Sequence, residues 1–257
     1  MTDPALSIVT WNVEWQPARS RKAEELRHRI FATNPHVICL TEAYTDFLPA
    51  FGHVVAASPD HGYPIKEGRR KVLLWSRKPW RNIDQIGDED MPSGRFVAAR
   101  TETPIGEIDV IGVCIPWAAA HVSTGRKDRQ RWDDHLQYLA GLNRVLAGRD
   151  RRTIIAGDFN QRIPRRGAPQ AVYDALDSTV LRFFAVPTMG RIAPLDELAI
   201  DHIAHSSDLV SRSVTGLSHL VEGGPRLSDH FGLHVELFAA RTPESLGGRD
   251  PQEAKRP

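Results

Sequence analysis

Short apolar runs separated by turn residues make up most of this chain. Leu6–Thr10, His36–Leu40, Val54–Ala57, Val72–Trp75, Phe96–Thr101, Ile108–Ile115, Thr153–Ala156, His202–Ala204 and Gly232–Phe238 are each a few residues long. Several are rich in Val and Ile, and Gly, Pro, Asp or Ser bounds them, so each is predicted to be a strand. Two segments carry the helical period instead. Ala23, Leu26, Ile30 and Phe31 share one face of a helix that must end before Asn34-Pro35. Trp132, Leu136, Leu139, Ala140, Asn143 and Leu146 do the same, with Gly148 as a C-terminal stop. Many strands with a few longer helices predict an α/β fold of packed sheets with helices outside them.

No repeat or linker divides the chain, so residues 1–240 are expected to form a single domain. The polar, Pro- and Gly-rich segment 241–257 is expected to be a disordered tail. The formal net charge of +1 excludes the strongly basic footprint of a protein that grips duplex DNA without regard to sequence. The two cysteines, Cys39 and Cys114, are too few for a disulfide framework or a cysteine zinc site, and both lie within apolar runs. The N-terminal segment lacks the basic-then-apolar order of a secretory signal, and no apolar run is long enough to span a bilayer. A cytoplasmic protein is expected.

The polar residues that could carry chemistry share one kind of position, the end of a strand. Asn12 and Glu14 follow the first run and Glu42 the second; Asp158 and Asn160 follow Thr153–Ala156. Asp201 opens one strand, and Asp229 and His230 precede another. Such ends converge at one edge of a sheet. Glu42 and Asp229, with Asn12 and Glu14 in reach, offer oxygen ligands, which suit Mg²⁺ or Mn²⁺ better than zinc. Asp158 would orient and deprotonate a water, Asn160 would donate to a phosphate, and His230, fixed by Asp201, would stabilise phosphoryl charge. Arg162, Arg165 and Arg166, after Gln161, would bring guanidiniums to that phosphate. Taken singly, an Asp after a strand is most often a turn or a cap, and a lone His most often a satisfied core residue. The ordered set points to function.

The stretches TWNVEW, LTEAY, GDFNQR, AIDHI and LSDHFGL resemble the signatures of the endonuclease/exonuclease/phosphatase superfamily, over most of the chain from Ile8 to about Phe238. The resemblance implies a four-layer α/β sandwich, two mixed sheets packed face to face and flanked by helices. It implies metal-dependent hydrolysis of phosphoesters, with Glu42, Asn12, Glu14 and Asp229 around Mg²⁺ or Mn²⁺. Asp158, Asn160, Asp201 and His230 would then do the chemistry. Where relatives commonly carry a His or Tyr at the end of the strand before the central helix, this chain has Cys114, followed by Pro116 and Trp117. Either a nearby group such as His121 replaces that phosphate contact, with Trp117 beside the strand end, or the site works without it. Ala43 and His202 are smaller departures from the same pattern. A nuclease or phosphodiesterase with a nucleic acid substrate is the leading expectation. A phosphatase of a small phosphate ester is the alternative, and a relative that binds phosphate without cleaving it is the third reading.

Overall fold

The computed structural model describes residues 3–148 and 152–240, so the expected tail, 241–257, lies outside the described residues. In chain order the elements are β1 (Leu6–Asn12), α1 (Arg21–Ala32), β2 (Val37–Tyr44), β3 (His53–Ala56), β4 (Arg69–Ser76), β5 (Arg81–Asp84), β6 (Phe96–Thr103) and β7 (Gly106–Cys114). There follow α2 (Asp133–Leu146), β8 (Thr153–Asp158), α3 (Gln170–Leu176) with a wider helical turn to Leu181, β9 (Arg191–Ile192), β10 (Glu197–Leu198), β11 (Asp201–His205), β12 (Leu209–Leu217) and β13 (Gly232–Ala239). One sheet has the order β12-β13-β1-β2-β4-β3 and the other β11-β8-β7-β6-β5, while β9 and β10 form a small hairpin.

Each large sheet contains one parallel pair joined through a helix, β1-α1-β2 in one and β7-α2-β8 in the other; the remaining neighbours are antiparallel. The side-chain period of two sorts each strand between two apolar layers. From β1, Leu6 and Ile8 point into the space between the sheets, where they meet Val110, Ile154 and Ile203. Val9 and Trp11 point outward onto Leu26 and Ile30 of α1. On the far side Ile111, Val113 and Ile155 pack against Tyr138, Leu139 and Leu142 of α2 and Leu176 of α3. The result is the expected sandwich, helix–sheet–sheet–helix. Both cysteines are free and buried in the inter-sheet layer.

Both predicted helices and all nine predicted strands are present, with ends shifted by a few residues. The edge strand β12 was not foreseen, because LVSRSVTGL interleaves Ser, Arg and Thr and reads as a turn; its pairing with β13 supplies the backbone partners. Helix α3 was also missed, since Gln170–Leu176 is too short for a full apolar stripe. Helix α1 begins where Ser20 Oγ accepts a hydrogen bond from the Ala23 amide and ends at Thr33, ahead of Pro35.

Candidate active site

The parallel pairs decide where the site lies. The C-terminal ends of β1 and β2 in one sheet and of β8 in the other open on the same edge, as is usual for ligand sites beside parallel strands. Asn12, Glu42 and Asp158 stand at those ends. β11 runs antiparallel to β8 and begins at this edge, so Asp201 pairs directly with Asp158. Like charges opposite one another on neighbouring strands cost stability. A fold that keeps such a pair needs a cation nearby.

That cation is His230. Its Nδ1 lies 2.5 Å from an Asp201 carboxylate oxygen, and ligating atoms of Asp158, Asp201 and His230 all lie within 4.8 Å of one another. Burial alone would lower the His230 pKa. The charge and hydrogen bond of Asp201, with Asp158 and Asp229 nearby, overcome this and raise it to about 10. The Asp158 carboxyl is also shifted upward, above the usual carboxylate range. Burial, and then the Asp201 charge, raise it to about 7.

The remaining groups hold this cluster in place. Asp158 accepts hydrogen bonds from the Asn160 backbone amide at 2.9 Å, from Asn160 Nδ2 at 3.0 Å and from Asn12 Nδ2 at 3.3 Å. Ser228 Oγ donates to the Asn12 carbonyl at 2.6 Å and accepts from the His230 amide, and Trp11 Nε1 donates to the His230 carbonyl. These bonds tie the segment before β13 to the end of β1. Glu14, Glu42 and Asn160 adopt left-handed backbone, with φ of 49°, 51° and 53°. Non-glycine residues in that region carry strain that tends to collect at sites.

Some expected partners are brought together and others are not. Glu14 accepts from the Asp229 amide at 3.1 Å, and both side chains are solvent-facing at the rim. Glu42 faces Lys71 of β4 and accepts from its ammonium at 2.5 Å. Asn160 spends both amide hydrogens on Asp158 and the Ile115 carbonyl, so it positions Asp158 instead of facing outward to a phosphate. His121 does not replace the missing strand-end ring. It is buried, with Nδ1 on Asp134 at 2.6 Å and Nε2 against the Gly62 carbonyl at 2.9 Å, so neither nitrogen is free for a phosphate. Gln161 is buried against His135 and the Val172 carbonyl. Arg165 donates to the Ala168 carbonyl, and Arg162 and Arg166 line a depression with Arg191, Asp196 and Glu197. His202 is a buried sheet residue, its pKa lowered to about 4 by burial.

Two cations near the site were not foreseen. Lys71 lies in an apolar strand, and Arg95, in SGRF, precedes one; neither has a motif around it. Arg95 is only 2% exposed, and its NH1 approaches the Cys114 carbonyl oxygen at 3.5 Å.

The donors fit a hard divalent cation. They are carboxylate and carboxamide oxygens, one Asp201 oxygen is buried without a hydrogen-bond partner, and the carboxylates are crowded enough to raise Asp158. Among the described residues the carboxylates and imidazole close enough to share one ion are Asp158, Asp201 and His230, while Glu42 accepts from Lys71 and Asn12 Oδ1 from the Glu14 amide.

Fold and site together define a phosphoesterase-type α/β sandwich, and a family model agrees. The endonuclease/exonuclease/phosphatase family model matches residues 9–230, and the chain belongs to that family. Among solved structures, the 3′–5′ exonuclease NExo from Neisseria meningitidis is 18% identical with a TM-score of 0.64, covering 91% of this chain and 100% of that one. Humanized D. rerio TDP2 is 14% identical with a TM-score of 0.66, covering 91% and 98%. An endonuclease/exonuclease/phosphatase from Beutenbergia cavernae DSM 12333 is 16% identical with a TM-score of 0.64, covering 92% and 72%. These likenesses show the shared fold. No curated protein sequence matches the chain.

Proposed function

We propose that this chain is a divalent-metal-dependent phosphodiesterase of the nuclease type, hydrolysing phosphodiester bonds by in-line attack of water. The observation that carries this reading is the cross-strand Asp158–Asp201 pair with His230 locked onto it, at the edge where β1, β2 and β8 end. Each partner has the protonation its task needs. Asp158, raised to about 7, accepts a proton from water near neutral pH. Asn12 and Asn160 hold its carboxylate in one orientation while it does so. His230, raised to about 10, stays an imidazolium and presents Nε2 to the phosphoryl oxygens, while Asp201 fixes the ring through Nδ1. When bound among these strand-end carboxylates, Mg²⁺ or Mn²⁺ supplies Lewis-acid stabilisation of the charge that develops on the phosphate.

Nucleic acid is the substrate class this reading favours, since NExo is described bound to a product DNA hairpin and D. rerio TDP2 with a single-strand DNA product. A phosphatase acting on a small ester would use the same groups with a different leaving group, and the 3′ phosphatase description of NExo keeps that reading second. No described helix is long and apolar enough to cross a membrane. The test is hydrolysis by the purified chain of bis-p-nitrophenyl phosphate, single-stranded DNA, abasic duplex, RNA and phosphomonoesters, with Mg²⁺, Mn²⁺ or EDTA. Metal-dependent cleavage of diesters over monoesters supports the proposal. Preference for monoesters favours the phosphatase, and inertness toward the whole panel counts against both.

A further inference from the structure

Next to Glu42, whose ion-pair partner Lys71 lines it, lies a cleft of 510 Å³ lined by Trp15, His61, Tyr63, Trp117 and four cations, with no carboxylate in its lining. The cations are Lys66, Arg69, Lys71 and Arg95. Arg69 and Lys71 sit over the Trp15 ring, at 4.9 and 5.2 Å from its centroid. Arg95 differs from the rest. It is almost wholly buried, its Nε has no hydrogen-bond partner, and no described carboxylate pairs with it. Its contacts are the Cys114 carbonyl oxygen at 3.5 Å and Cys114 Sγ at 4.0 Å. A buried guanidinium with no counter-charge is costly, and five fixed donors suit a phosphate. Arg95 stands against the strand end at Cys114, and its backbone carbonyl accepts from the Cys114 amide.

The cleft wall is rigid. Trp15, His61, Tyr63 and His121 form a continuous ring stack, with centroids 6.2, 5.8 and 4.5 Å apart. His121, pinned by Asp134 and the Gly62 carbonyl, is the end post of that stack. Both faces of Tyr63 are therefore covered. Trp117 is the free ring: it is 46% exposed and stacks on no other ring among the described residues. A base needs one open aromatic face and an adjacent cation for its phosphate.

We infer that Arg95 forms an anion subsite for a phosphate adjacent to the one being cleaved, in a single-stranded nucleic acid whose base stacks on Trp117. This rests on the phosphodiesterase reading above and assigns its substrate class. A buried cation beside an open aromatic face suits an unpaired nucleotide, and the net charge of +1 lacks the basic footprint of a duplex binder.

The test is calorimetric binding of thymidine 3′,5′-bisphosphate, thymidine and inorganic phosphate in EDTA, to wild type, Arg95→Met and Trp117→Ala. Wild type should bind the bisphosphate more tightly than thymidine or inorganic phosphate. Arg95→Met and Trp117→Ala should each weaken that binding by about tenfold or more. Arg95→Met should also weaken inorganic phosphate, whereas Trp117→Ala should not. The thermal midpoint of Arg95→Met should not fall, since an unpaired buried charge is removed; Trp117→Ala, at an exposed residue, keeps the inference testable if Arg95→Met fails to fold. Unchanged bisphosphate binding in either variant would overturn the inference. So would inorganic phosphate binding as tightly as the nucleotide, or no nucleotide binding by wild type. Because hydrolysis is not read here, a protein that binds the bisphosphate yet cleaves no ester keeps the subsite and loses the phosphodiesterase, and the reverse holds equally.

Discussion

Replacing Gly157 with Ala should damage both the fold and the site, through one carbonyl. Gly157 pairs with Val113 across the parallel β7–β8 ladder and has φ of +136°, a conformation L side chains rarely adopt. An ideal Cβ there would lie 2.0 Å from the Val113 carbonyl oxygen and 3.0 Å from its carbonyl carbon. Ordinary contact begins at 3.4 Å, so the two backbones must part by more than about 1 Å, in strands buried on both faces. Strain at the unfavourable φ costs about 1–3 kcal/mol, and forcing atoms into a packed core about as much again. The sum is about 4 kcal/mol, a large share of the stability of an ordinary domain. Urea unfolding followed by circular dichroism should show that loss in the extrapolated stability. Under conditions where the variant is fully folded, turnover should still fall about a hundredfold, because the next residue is Asp158 and a 1 Å displacement misplaces its carboxylate. A stability loss below about 1 kcal/mol with normal turnover would show that the strands accommodate the methyl group, and the account of why glycine precedes Asp158 would be wrong.

Asp158→Asn should lower turnover by orders of magnitude in steady-state assays while circular dichroism stays native, since the change removes charge and not volume. Glu42→Gln should raise the Mg²⁺ concentration needed for half-maximal rate, and an unchanged metal dependence would move the ion elsewhere. The His230 pKa rises from 6.5 in the unfolded chain to about 10 in the fold, so its pairing with Asp201 adds stability that is complete below pH 6.5 and is lost as pH climbs toward 10. Asp201→Asn should flatten the fall in urea midpoint across that alkaline range. Asp134→Asn should cost about 3 kcal/mol in chemical denaturation, because the Asp134 side chain, 1% exposed, holds His121 and Arg129 and so anchors the ring stack.

The strand ends were legible because alternation and turn residues mark where each apolar run stops. Asp158, Asp201 and His230 each follow or open such a run, and the fold carries them to one edge. What the pattern did not reveal depends on which way a side chain turns once packed. Gln161 and Asn160 are both amides in the same motif, yet one is buried against His135 and the other holds Asp158. His121 looked like a spare phosphate contact because sequence distance placed it near Cys114. The buried Asp134, thirteen residues on, claims it instead. Arg95 gave no signal at all, since a single arginine before a strand looks like a solvated cap until its burial and missing partner are seen.

The most direct measurement is the rate of bis-p-nitrophenyl phosphate hydrolysis by wild type and by His230→Gln, each with Mg²⁺ and with EDTA. The account predicts a metal-dependent rate in wild type that EDTA abolishes and that His230→Gln lowers by at least about a hundredfold, the loss expected for one group that stabilises transition-state charge. A rate that survives EDTA, or one that His230→Gln leaves intact, would contradict the assignment of phosphodiester hydrolysis to the Asp158–Asp201–His230 site.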